Sequence, residues 1–125
     1  MAVKVVDASA LAAMLFGEPT AAVIGAQLEG ARLVAPALLG FEIANVCLTK
    51  VSRHPAQRAA LRAAIDLFER MAIDIVAIDH RAAVATAEGL GLTSYNASYL
   101  WLAQQLGAEL VTLDRKLAAA AAPQP

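Results

Sequence analysis

The sequence predicts an α/β layered domain built on a parallel sheet, and three observations carry that prediction. Four short apolar runs recur along the chain: VKVVD at 3–7, RLVAP at 32–36, IDIVAI at 73–78 and ELVTLD at 109–114. Their hydrophobicity is continuous rather than alternating, which marks strands covered on both faces. The longer segments between them read as helices, and helices alternating with buried strands form a layered domain.

Taken in order, VKVVD is the first strand, and its β-branched residues suit a pleated, buried position. Helices follow over 9–16 and 19–29, the second opened by Pro19 and closed by Gly30. RLVAP is the second strand, and helices over 38–52 and 55–71 come next, with Pro55 suited to a first turn. IDIVAI is the third strand, succeeded by helices over 79–89 and 96–106 that Gly89 and Gly107 would end. ELVTLD is the fourth. Residues 1–117 are expected to make one domain, while AAAAAPQP at 118–125 has no pattern to pack and is expected to be a disordered tail.

A chain of 125 residues fits one domain with a real core. Its 59% apolar and 17% charged residues make a globular composition. Ten Lys and Arg against eleven Asp and Glu give a formal charge of -1, so no global basic field marks a nucleic-acid binder. Any RNA contact must come from a local patch. The single cysteine, Cys47, excludes an internal disulfide and a Cys-based zinc site, and fits a reducing cytoplasm. Asp7 interrupts what would be the apolar core of a signal peptide. The long uncharged stretch from Gly89 to Ala108 holds too many polar side chains to span a bilayer.

In open parallel sheets ligands lie beyond the carboxyl ends of the strands, so the acids that end strands are the ones to weigh. Asp7, Asp79 and Asp114 do so. Singly, each reads as a helix N-cap. Glu42 and Asn45, in PALLGFEIANVCLTK, sit three residues apart on an otherwise apolar helix, where the helix dipole alone could favour the carboxylate. Asp7, Glu42 and Asp114 together are hard oxygen ligands of the kind Mg²⁺ or Mn²⁺ requires. Without metal, gathered carboxylates raise one another's pKa values, and a divalent ion removes that penalty. Such sites hydrolyse phosphodiesters by activating water.

VVDASAL at 5–11, FEIANV at 41–46, TSYNASYLWLA at 93–103 and LVTLDRKL at 110–117 resemble the four acidic motifs of PIN-domain ribonucleases, and most of all those of VapC-type toxins of bacterial toxin–antitoxin pairs. The resemblance covers nearly the whole chain. It implies a three-layer fold with a parallel sheet of four to five strands, the first and fourth adjacent, so that Asp7 lies beside Asp114 and Glu42 completes the group. Asp79 then falls away from that junction and is a cap. The resemblance further implies catalytic and metal-binding roles for Asp7, Glu42, Asp114 and the position of Asn96, with Mg²⁺ or Mn²⁺ as cofactor. Ser9, Asn45 and Thr112 fall where the family keeps small polar residues that orient its acids. RNA substrates such as tRNA, homodimerisation and inhibition by an antitoxin laid over the site are implied as well, as is a final short apolar strand, where this chain instead passes from Leu117 into alanines and prolines.

One position departs from the pattern. The family motif carries aspartate where this chain has Asn96. At a helix N-cap Asn and Asp are nearly equivalent, so the fold should tolerate it. The charge does change: three formal negative charges stand where the pattern gives four, and metal binding should weaken. Natural variation, natural loss of activity and deliberate disarming of a toxic nuclease all fit.

Candidate RNA contacts are Lys50, Arg53, Arg58 and Arg62, clustered with His54 around one helix junction, and Arg115 and Lys116 directly after Asp114. A solvated helical face explains the first cluster equally well. Tyr95, Tyr99 and Trp101 are expected in the core rather than on a base-stacking platform. Two rival functions remain: a PIN-fold module that binds RNA or an antitoxin without cutting, and a phosphatase with Asp7 as nucleophile, which would want a second acid where Ser9 stands.

Overall fold

Val3–Val6 (β1), Arg32–Ala35 (β2), Ile73–Ile75 (β3) and Glu109–Val111 (β4) form one sheet in the order β3-β2-β1-β4 in the computed structural model, which describes residues 1–122. All three pairings are parallel, and Val5 lies opposite Val34 on one side and Leu110 on the other. The apolar runs therefore are strands, each shorter than its run. β1 is central, and Val5 and Val6 are fully buried. β3 is an edge strand, so Asp74 and Ile75 are exposed rather than covered on both faces as expected. Arg32 of β2 binds Asp74 across that edge at 2.6 Å, blunting an edge open to pairing with another chain.

Among the described residues seven helices flank the sheet, Ala8–Leu15 (α1), Ala21–Leu28 (α2), Leu38–Arg53 (α3), Arg58–Arg70 (α4), His80–Leu90 (α5), Ser94–Leu106 (α6) and Arg115–Ala121 (α7), with one 3₁₀ turn at Pro55–Gln57. α1 packs on α2, α3 and α4, while α6 packs on α5 and α7. This grouping follows from handedness. The crossovers from β1 to β2 and from β2 to β3 run the same way across the sheet, the return to β4 runs the other way, and right-handed connections put the two sets of helices on opposite faces.

The helix starts and stops show which local signals won. Asp7, Asp79 and Asp114 each cap a helix, accepting from Ala10, Ala82 and Leu117 N–H groups. α6 starts two residues before the expected position, because Thr93 takes the cap and accepts from the Asn96 N–H. Asn96 is therefore a residue of the first turn and not the cap. α5 runs through Gly89 and ends at Gly91, whose φ of 65° suits a residue without a Cβ. The alanines at 118–121, expected in a disordered tail, continue α7, and the domain boundary expected at 117 falls inside that helix. Leu117 anchors it, fully buried in the core. A fifth strand does not form among the described residues, and 123–125 lie outside them.

One core joins both faces, and Leu11, Leu39, Ile43, Leu100 and Leu117 are nearly or fully buried in it. Cys47 is buried with its thiol against the Leu61 carbonyl, as a small core residue would be. Replacing Leu11, which is fully buried, by Ala is expected to cost about 2–5 kcal/mol through lost burial and a residual cavity. Leu48→Ala, at a side chain 68% exposed, should stay within about 0.5 kcal/mol. Urea denaturation midpoints of the two variants check the difference.

Candidate active site

The strand order reverses between β1 and β4, since β2 and β3 build outward from β1 on one side and β4 returns to the other. That junction is where open parallel sheets leave a crevice beyond their carboxyl ends. Asp7 follows β1 there and Asp114 follows β4. Asp7 is only 3% exposed, the one charged side chain among the described residues that is fully buried.

Burial without a counter-charge requires hydrogen bonds, and Asp7 receives three through its side chain. Ser9 Oγ donates to Oδ1 at 2.7 Å, the Ala10 N–H donates to the same oxygen at 3.0 Å, and Thr112 Oγ1 donates to Oδ2 at 2.6 Å. The two hydroxyls then accept in turn: Ser9 Oγ from the Leu113 N–H at 2.9 Å, and Thr112 Oγ1 from the Asp114 N–H at 3.0 Å. Both hydroxyl protons are committed to the carboxylate, so the 3.3 Å approach of Ser9 to Thr112 is a contact and not a bond. The loop after β1 and the loop after β4 are thereby tied through one carboxylate.

The other acids arrive by different routes. Asp114 caps α7 through Oδ1 and accepts at Oδ2 from Asn96 Nδ2 at 3.4 Å. Glu42, half-buried on α3, accepts from the phenol of Tyr99 on α6 at 2.6 Å. Tyr99 is the core residue expected, 1% exposed, and burial together with the Glu42 carboxylate keeps its phenol protonated far above the usual tyrosine range. Burial also raises the Asp7 carboxyl, against the pull of its three hydrogen bonds, and Asp114 adds a like-charge push. Glu42 is raised for the same first reason, with Asp7 pushing in the same direction. The carboxylates therefore feel one another.

No basic side chain answers them. Ion pairs among the described residues are Lys4 with Glu109, Arg32 with Asp74 and Lys50 with Glu18, all elsewhere. Hard oxygens, mutual repulsion and no paired cation suit a divalent ion that keeps part of its water. A tight shell is not formed: among the described residues no three His, Cys, Asp or Glu side chains gather closely enough to hold an ion by themselves. Every buried side-chain nitrogen and oxygen among the described residues has a hydrogen-bond partner within the protein.

A sequence model of the PIN domain matches residues 4–123. The chain belongs to the PIN domain family. PIN domains are a nuclease and RNA-binding family whose members typically depend on divalent metal. The crystal structure of PAE2754 from Pyrobaculum aerophilum is similar to this PIN domain, with a TM-score of 0.70 and 25% identity over 95% of this chain and 84% of that one. Among curated proteins none matches significantly. No helix among the described residues is long and apolar enough to cross a membrane.

The remaining predicted positions divide. Asn45 lines a 450 Å³ cleft together with Glu42, Ser9 and two side chains that stand out for exposure, Phe41 and Tyr95. Arg115 and Lys116 are exposed on the first turn of α7 directly after Asp114. Arg58 and Arg62 line a different cleft, with Ala44, Cys47, Leu48 and Val51. Helical periodicity puts those four α3 residues on the face turned away from Glu42 and Val46, so this arginine pair is separated from the acids. Lys50 is drawn off to Glu18, and Arg53 ends α3 in solvent. Tyr95 corrects the expectation of a packed aromatic, being 60% exposed. Phe41 was missed because it sits in an apolar run that reads as core.

The raised Asp7 carboxyl has a testable sign. With the folded pKa above the unfolded value near 3.9, its contribution to stability is fully present below that value and is lost as pH rises through the raised one. In EDTA, Asp7→Asn is therefore expected to raise the urea midpoint over the parent at pH about 7.5 and to lose that advantage at pH about 4. A parent midpoint that does not fall over this window would show that the hydrogen bonds outweigh burial.

Proposed function

We propose that this PIN domain is a metal-dependent endoribonuclease of the VapC toxin type, acting on structured RNA such as tRNA, with its activity held down by Asn96. What supports the reading is that Asp7, between β1 and α1 at the switch point of the sheet, feels Asp114 as a like charge and is felt as one by Glu42, while none of the three carboxylates is paired with a cation among the described residues. Asp7, Glu42 and Asp114, with the amide oxygen of Asn96, would hold Mg²⁺ or Mn²⁺. When bound, the ion supplies an activated water and neutralises charge developing on the phosphate oxygens.

The protein's own groups prepare that site. Ser9 and Thr112 fix the Asp7 carboxylate from both sides, and Tyr99 fixes Glu42. Such orienting contacts typically change metal affinity or activity by about 10–100-fold. Arg115 and Lys116 directly follow Asp114 in the first turn of α7, where they would take the phosphates flanking the scissile bond. Lys50, Arg53, Arg58 and Arg62 would serve a more distant part of a folded RNA, and the separation of Arg58 and Arg62 from the acids makes them the weaker assignment.

Asn96 sets the level of activity. Its Nδ2 faces Asp114 Oδ2, so a donor stands where an aspartate would add a fourth negative charge. That contact relaxes the metal-free site and weakens its hold on a cation. The same contact favours the alternative of a non-catalytic PIN-fold module for RNA or antitoxin binding. A cytoplasmic homodimer kept silent by its antitoxin completes the proposal.

Total cellular RNA incubated with Mg²⁺ or Mn²⁺ separates the two readings. Asn96→Asp is expected to cut about 10–100-fold faster than the parent, with EDTA stopping it, and Asp7→Asn in that background should abolish cleavage. Absence of cleavage by the Asn96→Asp protein would give the binding module the lead.

A further inference from the structure

Phe41 and Tyr95 are 77% and 60% exposed, and both line the 450 Å³ cleft that also contains Glu42 and Ser9. Each directly precedes a residue of the candidate site, Phe41 before Glu42 on α3 and Tyr95 before Asn96 on α6. A single step along a helix turns a side chain by about 100°, so the polar residue faces the acids while the aromatic stands at the cleft's outer wall. Two helices from opposite faces of the sheet thus each present an aromatic at the same opening.

The rest of the wall defines what fits between them. Leu38 and Val46 add apolar surface, Asn45 adds an amide that both donates and accepts, and no basic residue lines the cleft. Such a wall is wrong for a phosphate and right for the faces and edge of a planar heterocycle. The volume lies within the range of small-ligand sites. Isolated exposed apolar residues are ordinary, but a pair on the wall of the cleft that carries a candidate catalytic acid is not.

We propose that Phe41 and Tyr95 form a stacking subsite for an unpaired nucleobase next to the phosphodiester bond addressed by the acids. The inference rests on the nuclease reading for its purpose, and it narrows the substrate: the strand entering the site is single-stranded, as in a loop of a folded RNA. A paired base cannot present both faces to the aromatics. Base stacking on aromatic side chains is sequence-tolerant and is worth about 1–3 kcal/mol per base.

The test uses a short single-stranded oligoribonucleotide carrying one 2-aminopurine, whose fluorescence is quenched on stacking, bound to the full chain in EDTA so that cleavage does not intervene. Phe41→Ala and Tyr95→Ala should each weaken binding about tenfold and relieve the quenching, while Phe41→Tyr and Tyr95→Phe keep both. The exposure of both side chains leaves the fold intact in all four variants. A duplex of the same sequence should bind the parent more weakly than the single strand. Unchanged affinity and quenching in the alanine variants overturn the subsite. If those variants instead shift sedimentation toward a smaller species without affecting the oligonucleotide, the aromatics belong to a protein contact and the subsite is again overturned. Failure of the nuclease reading looks different: the Asn96→Asp protein does not cut, yet the quenching persists and still depends on Phe41 and Tyr95.

Discussion

The buried carboxylate of Asp7 is the constraint on which the site depends. One side chain caps α1, receives hydroxyls from Ser9 and Thr112, and through their second bonds fixes the backbone of Leu113 and Asp114. A charge that is 3% exposed and has no cationic partner is expensive to bury, and three donors offset the expense only in part, which is why burial still dominates its raised pKa. The molecule keeps an anion where packing alone would want a neutral residue. Sites that tolerate such destabilisation are commonly functional ones.

The same network joins parts of the fold that lie far apart in the chain. Parallel strands β1 and β4 are adjacent in the sheet but far apart in sequence, and their pairing is completed at the carboxyl end by side chains reaching across more than a hundred residues of chain, Thr112 to Asp7 and Leu113 to Ser9. Buried polar networks of this kind specify one arrangement when every member is satisfied. Here every buried side-chain polar atom among the described residues is satisfied. Glu42 extends the order to α3 through Tyr99, a core aromatic whose hydroxyl end meets a carboxylate. The helices on opposite faces are thereby fixed relative to the acids they carry.

How much of this was legible depended on the range of the interaction. The strands declared themselves, because continuous β-branched runs have few other uses, and the acids at their ends followed from chain order. The expected start of α6 differs from the observed one because Thr93, Ser94 and Asn96 are all good caps, and it is the Thr93 hydroxyl that accepts the first-turn N–H. α7 was missed because alanines carry no periodic pattern, while its single anchor, Leu117, is recognisable only once the core exists. β3 was read as doubly covered because composition does not distinguish an edge strand from an inner one. The basic residues around the α3–α4 junction looked like one patch in sequence, but helical rotation, the ion pair of Lys50 with Glu18 and the separate cleft of Arg58 and Arg62 divide them.

Asn96 shows how a single atom exchange separates fold from chemistry. Its backbone N–H binds the Thr93 cap and its side chain points a donor at Asp114, so nothing in the folding of α6 requires a carboxylate there. An aspartate at this position would face Asp114 as a second anion and join the repulsion already felt by Asp7 and Glu42. The metal-free protein would be less stable for it, and a cation would relieve more. The amide spares the site that repulsion. The Thr93 cap, the buried Asp7 carboxylate and the cleft beside Glu42 involve no charge at position 96, so the fold itself does not decide between amide and carboxylate there.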